Sequence, residues 1–266
     1  MVIGHPAGGV KEQTAALYAE NRAQRGLAAL VYDAAHQGES GGEPRGLEDP
    51  FQRAEDVNAA VSFLSARGDV DPARIGALGI CASGSYTAFA AQTARRIKAV
   101  ATVSAIDLAG AIFESTEARS ELLEAAGEMR NAEARGEGLF AESHTVSTLA
   151  EAEAAPARSL PREAYDYYRT PRGAHPLSTQ WGVMRLDVAA QFHAFAHNDW
   201  ISPRPLLMIA GADTRPDSEA AIALAKEPKE LFLVDGASHV DLYDRDPYVA
   251  QAIDKLEGFF TKHLAN

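Results

Sequence analysis

Short apolar runs alternate with stretches of helical period along most of this chain. Val2-Ile3 is the stub of a first strand. Lys11 to Arg25 reads as a helix with Ala15, Ala16, Tyr18 and Ala19 on one side, and Gly26 stops it. Leu27 to Tyr32 is a second strand, and Glu55 to Ala66 returns to helical spacing through Val57, Ala60, Val61 and Leu64. Ile75 to Ile80 is a third strand, followed by a helix over Ser83 to Arg96. Ala99 to Val103, Leu206 to Ala210 and Leu231 to Val234 are further strands. Helices fill Ser218 to Lys226 and Asp246 to His263. This alternation predicts an α/β fold, a mostly parallel twisted sheet with helices on both faces. Loops at the carboxyl ends of such strands gather on one edge, so those after Ile3, Tyr32, Ile80, Val103, Ala210 and Val234 should converge.

Residues 108–201 break the rhythm. They are rich in Ala, Glu and Arg from Glu114 to Ala157, then aromatic, with Tyr165, Tyr167, Tyr168, Trp181, Phe192, Phe195 and Trp200. So long a segment is not a plain loop. It is read as a helical cap inserted after the strand near residue 103, with 1–107 and 202–266 forming the core. A separate domain or a disordered acidic segment is the alternative, against which the aromatic half argues.

Size and charge narrow the function classes. The 266 residues are 46% hydrophobic and carry a formal net charge of −12. That is enough for one large α/β domain, and an acidic balance argues against a nucleic-acid partner. One cysteine excludes an internal disulfide framework and fits a reducing cytoplasm. No signal-peptide pattern stands at the start, and no apolar run approaches the ~20 residues of a membrane span. A cytoplasmic protein acting on a small molecule, with neither nucleic acid nor membrane as partner, is expected.

That cysteine stands at the most telling place in the chain. Gly79-Ile80-Cys81-Ala82-Ser83-Gly84 lies where a strand ends and a helix begins, the layout of a nucleophile elbow with Cys in place of Ser. A nucleophile needs a base, and the base an orienting group. Asp213 follows the strand at Leu206 to Ala210, and His239 follows the last strand. The order nucleophile, acid, histidine suits such a fold. His239 would take the thiol proton and Asp213 would hold the imidazole. A helix N-terminus and a neighbouring imidazolium should lower the pKa of Cys81. The oxyanion would be met by the backbone N–H groups of Ala82 and, since Pro6 has none, Ala7. Tyr165, Tyr168, Trp181 and Phe192 are candidates for the substrate pocket, and core packing explains them equally well.

Each residue also has a plain reading. Cys81 is an inert buried thiol in that reading, His239 a loop residue, and Asp213 a turn residue bonding backbone amides. Asp107, also after a strand, is a second candidate for the acid. Ser83 and Ser85 are rival nucleophiles, better placed as polar groups of the first helical turn. His193 and His197 have a metal-binding spacing but no evident third ligand, so no metal and no cofactor is assigned.

These residues resemble the α/β-hydrolase superfamily over nearly the whole chain, in particular its dienelactone-hydrolase-like and polyketide-transferase-like branch. The resemblance is carried by His5 to Gln13, Gln37 to Ser40, Gly79 to Ala82, Tyr165 to Gly173 and Gly236 to Tyr243. It implies a Cys81, His239, Asp213 triad acting on esters, lactones or thioesters through an acyl-cysteine, with water or an alcohol as acceptor. A silent binding protein on the same fold is the third reading. Two departures stand out. Ser83 replaces the glycine usual two residues after the nucleophile. The chain also starts inside what should be the third strand, which implies a truncated start and a six-stranded sheet. Leu27 to Tyr32 would then be an exposed edge that a homodimer partner would cover.

Overall fold

The computed structural model describes residues 1–112, 115–137, 148–178 and 183–264. Its strands are β1 (Val2–Gly4), β2 (Leu30–Val31), β3 (Leu47–Glu48), β4 (Gly76–Ile80), β5 (Ala99–Val103), β6 (Val183–Met184), β7 (Leu206–Ala210) and β8 (Lys229–Leu233). Six of them form one sheet in the order β2-β1-β4-β5-β7-β8, and every neighbouring pair is parallel. This is the six-stranded parallel sheet expected from the sequence.

Every residue of β4, β5 and β7 is buried, which is why these strands read as unbroken apolar runs: a parallel sheet is covered on both faces. β2 is shorter than its apolar run: only Leu30 and Val31 pair with β1, opposite Val2 and Ile3. Its two residues are half-buried at the sheet edge.

Helices α1 (Thr14–Gln24), α2 (Pro50–Ser65) and α3 (Ala82–Thr93) connect the first strands. Helix α2 begins earlier than the apolar period suggests. Asp49 caps it, its Oδ1 accepting the Phe51 and Gln52 amides, and Pro50 fits the first turn. The chain steps outward from β1 to β2 through α1, then to the other side of β1 and away through β4, α3 and β5. The strand order therefore reverses between β1 and β4, and a crevice at their carboxyl ends is where such sheets bind ligands.

Between β5 and β7 lie α4 (Leu108–Ile112), α5 (Thr116–Ala134), α6 (Leu149–Ala154), α7 (Leu160–Arg169), β6 and α8 (Leu186–Ala189). Strand β6 pairs with β3 as a separate two-stranded ribbon. The inserted segment is tied to the loops after β1 and β8. Gln13 Nε2 donates to the Gly173 carbonyl at 2.6 Å, and Ser178 Oγ to the Gly8 carbonyl at 2.7 Å. Arg172 bonds Asp244 at 3.0 Å, and Arg158 donates to the Gly236 carbonyl at 2.8 Å. These bonds join residues of the segment between β5 and β7 to loops at the carboxyl ends of β1 and β8. The chain closes with α9 (Arg215–Leu224), the short turn α10 (Asp241–Asp244) and α11 (Tyr248–Leu264), whose buried stripe includes Val249, Ile253, Leu256 and Phe260. No helix among the described residues is long and apolar enough to cross a membrane.

Candidate active site

Cys81 stands between β4 and α3 with φ 58° and ψ −127°, a conformation costly for a residue with a side chain. The turn is pinned on both sides: the Cys81 N–H donates to the Val103 carbonyl at 2.9 Å, and the Gly84 N–H to the Cys81 carbonyl at 2.8 Å. It is so sharp that a Cβ on Gly79 would lie 2.0 Å from the Ser83 carbonyl oxygen. Ser83 turns its hydroxyl beneath the elbow. Its Oγ donates to the His5 carbonyl at 2.5 Å and accepts from Arg53 Nη2 at 2.9 Å. Ser85 Oγ donates to the Ile106 carbonyl.

The backbone N–H groups of Ala7 and Ala82 both reach the Cys81 sulfur. The aim of the first has a traceable cause in His5. Its Nε2 accepts the Ala34 N–H at 3.1 Å, so the ring proton sits on Nδ1 and is donated to the Pro6 carbonyl at 2.7 Å. In a trans peptide the carbonyl and the following N–H point opposite ways. Holding the Pro6 oxygen on one side therefore turns the Ala7 N–H toward the sulfur. Burial, with the Arg53 charge adding to it, pushes the His5 pKa down to about 3, so the imidazole stays neutral.

His239 is 1% exposed on the loop after β8. Its carbonyl accepts Ser104 Oγ at 3.0 Å, and its backbone N–H donates to Asp213 Oδ2 at 3.1 Å. Asp213 is exposed and holds the histidine loop by that amide rather than by the ring. The two loops abut so closely that a Cβ on Gly211 would sit 2.5 Å from the Ala237 carbonyl oxygen. The ring Nε2 lies 2.9 Å from Tyr243 Oη. Burial lowers the His239 pKa to about 4, against the opposing pull of the Asp213, Glu163 and Asp217 charges. Asp107 is elsewhere, donating its N–H to Asp217 at 2.9 Å beside a cleft of about 220 Å³ that His193 also lines. His197 stacks on Trp200 with ring centres 4.2 Å apart.

The thiol is raised, not lowered, in pKa. Burial is the largest cause. Hydrogen bonding to the Tyr243 phenol and the Ala82 and Ala7 amides favours the thiolate, and the Glu48 charge opposes it. At 9% exposure, desolvation outweighs the helix N-terminus, and with His239 neutral no imidazolium stands beside the sulfur. The resting pair is a neutral thiol and a neutral imidazole.

The sequence reading passed over three residues here. Tyr243 links the histidine to the cysteine; its i, i+4 spacing from His239 was the available signal. Its turn is fixed by Tyr18 Oη and Thr14 Oγ1, which donate to the Leu242 and Tyr243 carbonyls at 2.7 and 3.0 Å. Glu48 and Arg53 form a buried pair, Nη1 to Oε1 at 3.3 Å, and Tyr86 Oη donates to Glu48 at 2.9 Å. Nothing in the sequence separates these two from its many other charged residues.

The aromatic candidates scatter. Tyr168 bonds Tyr243 and lies near the sulfur. Phe192 is fully buried, centred 4.6 Å from Phe89, 5.2 Å from Phe51 and 5.7 Å from Tyr86, which makes it a core ring. Tyr165 lines an outer cleft of about 310 Å³ together with Glu163, Asp166 and Arg245. Trp181 lies outside the described residues.

A sheet of this order, with a strained elbow entering a helix and a histidine after the last strand, is the α/β-hydrolase fold. The chain is 37% identical over 271 residues to the uncharacterized protein YcjY of Escherichia coli, covering 99% of this chain and 88% of that one. The crystal structure of the hypothetical protein PA2218 from Pseudomonas aeruginosa superposes with a TM-score of 0.88 at 36% identity, over 98% of this chain and 83% of that one. The polyketide transferase GrgF of a Penicillium species is 27% identical over 91% of this chain and 80% of its own, and its crystal structure has a TM-score of 0.81. Shorter stretches match proteins named thiohydrolases. No family model matches the chain.

Proposed function

We propose that the protein cleaves a carboxylic ester, lactone or thioester through an acyl-Cys81 intermediate. The observation that carries this reading is the convergence of the Ala7 and Ala82 N–H groups on the sulfur of a strained elbow cysteine. Those amides would bind the oxyanion formed when the sulfur attacks a carbonyl. His239, neutral and buried, is the base that takes the thiol proton and later returns it to the leaving group. Asp213 steadies the imidazolium by its charge and holds the loop by the His239 amide. Residues 108–201 act as the cap over this site, and Tyr168 borders the acyl group.

Transfer to an alcohol is the second reading. The near-burial of the sulfur favours it, since a site closed to water preserves an acyl-enzyme for another acceptor. The similarity to GrgF points the same way.

Brief exposure to p-nitrophenyl acetate is expected to add one acetyl group to the protein, seen by intact-mass spectrometry, and none to Cys81→Ala. Adding an alcohol then separates hydrolysis from transfer. An adduct retained in Cys81→Ala moves the nucleophile elsewhere. Absence of any adduct, with no turnover of an ester or thioester series, leaves a binding protein on this fold.

A further inference from the structure

The imidazole and the thiol are joined by a third group. His239 Nε2 has Tyr243 Oη at 2.9 Å as its partner, and the same phenol reaches the Cys81 sulfur. Among the described residues no hydrogen bond runs from Cys81 to His239 directly. Tyr243 is 2% exposed, wedged against the rings of Tyr167 at 5.1 Å and His239 at 5.5 Å, and its backbone is bonded to α1. The phenol is therefore bonded to the base and within hydrogen-bonding reach of the nucleophile.

We propose that Tyr243 is a catalytic residue, the relay through which the proton of Cys81 reaches His239. As the S–H bond breaks, its proton forms a new O–H on Tyr243. The original Tyr243 O–H breaks in the same step and its proton forms an N–H on Nε2. The sulfur electron pair is freed to attack the acyl carbonyl, Tyr243 ends as a neutral phenol, and His239 ends as the imidazolium. The reverse passage delivers the proton to the leaving group. Three properties of the site suit this. The imidazole is neutral, so Nε2 has a lone pair to accept. Burial pushes the Tyr243 pKa well above its ordinary value, so the phenol keeps a proton to give. The Tyr168 hydroxyl bonds Tyr243 and gives its oxygen a further polar partner while charge passes through it.

The proposal rests on the acyl-Cys81 reading, and the experiment separates the two. Acylation by p-nitrophenyl acetate is followed in mixtures of light and heavy water. A relay moves two protons at once, so the rate should fall along a curve with deuterium fraction in the unmodified protein and along a line in Tyr243→Phe. The variant should acylate about 10²-fold or more slowly, with the loss in kcat rather than KM. A linear dependence in the unmodified protein, or a variant that acylates as fast or faster, overturns the relay while leaving the acyl-cysteine standing. If the unmodified protein takes no acyl group, the parent reading fails, and alkylation of Cys81 by iodoacetamide at neutral pH still tests the link. Tyr243→Phe should then react at least about 10-fold more slowly. An unchanged rate overturns the proposal.

Discussion

Replacing His239 with alanine is expected to slow acylation of Cys81 at neutral pH by about 10³-fold or more. The size follows from the state of the sulfur. Burial holds the thiol above its ordinary pKa, so little thiolate exists at neutral pH and nucleophilicity depends on a base acting during attack. The same burial sets the pH profile. His239 is neutral above about pH 4 and becomes protonated below it. The value of kcat/KM should therefore stay level as pH is lowered through the ordinary imidazole range, and fall only near pH 4. Stability moves with it. Between the unfolded imidazole's pKa of about 6.5 and the folded value, the unfolded chain binds the extra proton, so stability is full above that range and is lost as pH falls. His5, with its pKa pushed down to about 3, adds a second proton of the same sign. A rate profile whose acid limb lies near pH 6.5 would show that the imidazole is hydrated in the working enzyme. A His239→Ala protein that acylates within a factor of ten of the parent would remove the base from the reading altogether.

What the sequence disclosed about this fold follows from how much each element repeats a physical signal. β4, β5 and β7 are buried on both faces, so each appears as a continuous apolar run of nearly its observed length. Helices were less sharply bounded. α2 starts at Pro50, set by the Asp49 cap, whereas the apolar spacing becomes visible only from Glu55 onward. The ribbon of β3 and β6 was not legible at all, because two residues carry no period.

The site divides in a similar way. Cys81, His239 and Asp213 occupy loops after strands, where chain order carries information. The Ala7 amide was reached by eliminating Pro6. What lay out of reach were relations set by burial. Helix position suggested a lowered thiol pKa, while burial raises it. Asp213 was expected at the imidazole and is found at the backbone amide of the same residue. Phe192 was a candidate for pocket or core alike, and the rings of Phe51, Phe89 and Tyr86 around it are those of packing. An aromatic residue looks alike in sequence in either setting.

Arg53→Met should destabilise the protein by about 3–5 kcal/mol, the cost of leaving one member of a buried ion pair without its partner. Arg53 is 3% exposed and Glu48 0% exposed. The guanidinium sits 5.1 Å above the Tyr86 ring and donates to the His5 carbonyl at 2.7 Å and to Ser83 Oγ. Removing it strands the Glu48 carboxylate beside the sulfur and cuts the bridge between the first loop and the elbow. Pairing the change with Glu48→Gln removes the stranded charge, so the double variant should recover part of the loss; equilibrium urea unfolding of the two singles and the double gives the coupling directly. The bridge makes a separate demand on function. It joins the loop carrying the Ala7 amide to the turn carrying Cys81, so the double variant, even where stable, should acylate more slowly than the parent. A single variant within about 1 kcal/mol of the parent would mean that the ion pair adds little to stability. In that case Arg53 is held by the His5 carbonyl and Ser83 rather than by charge, and the elbow draws its rigidity from the hydrogen bonds of the first loop.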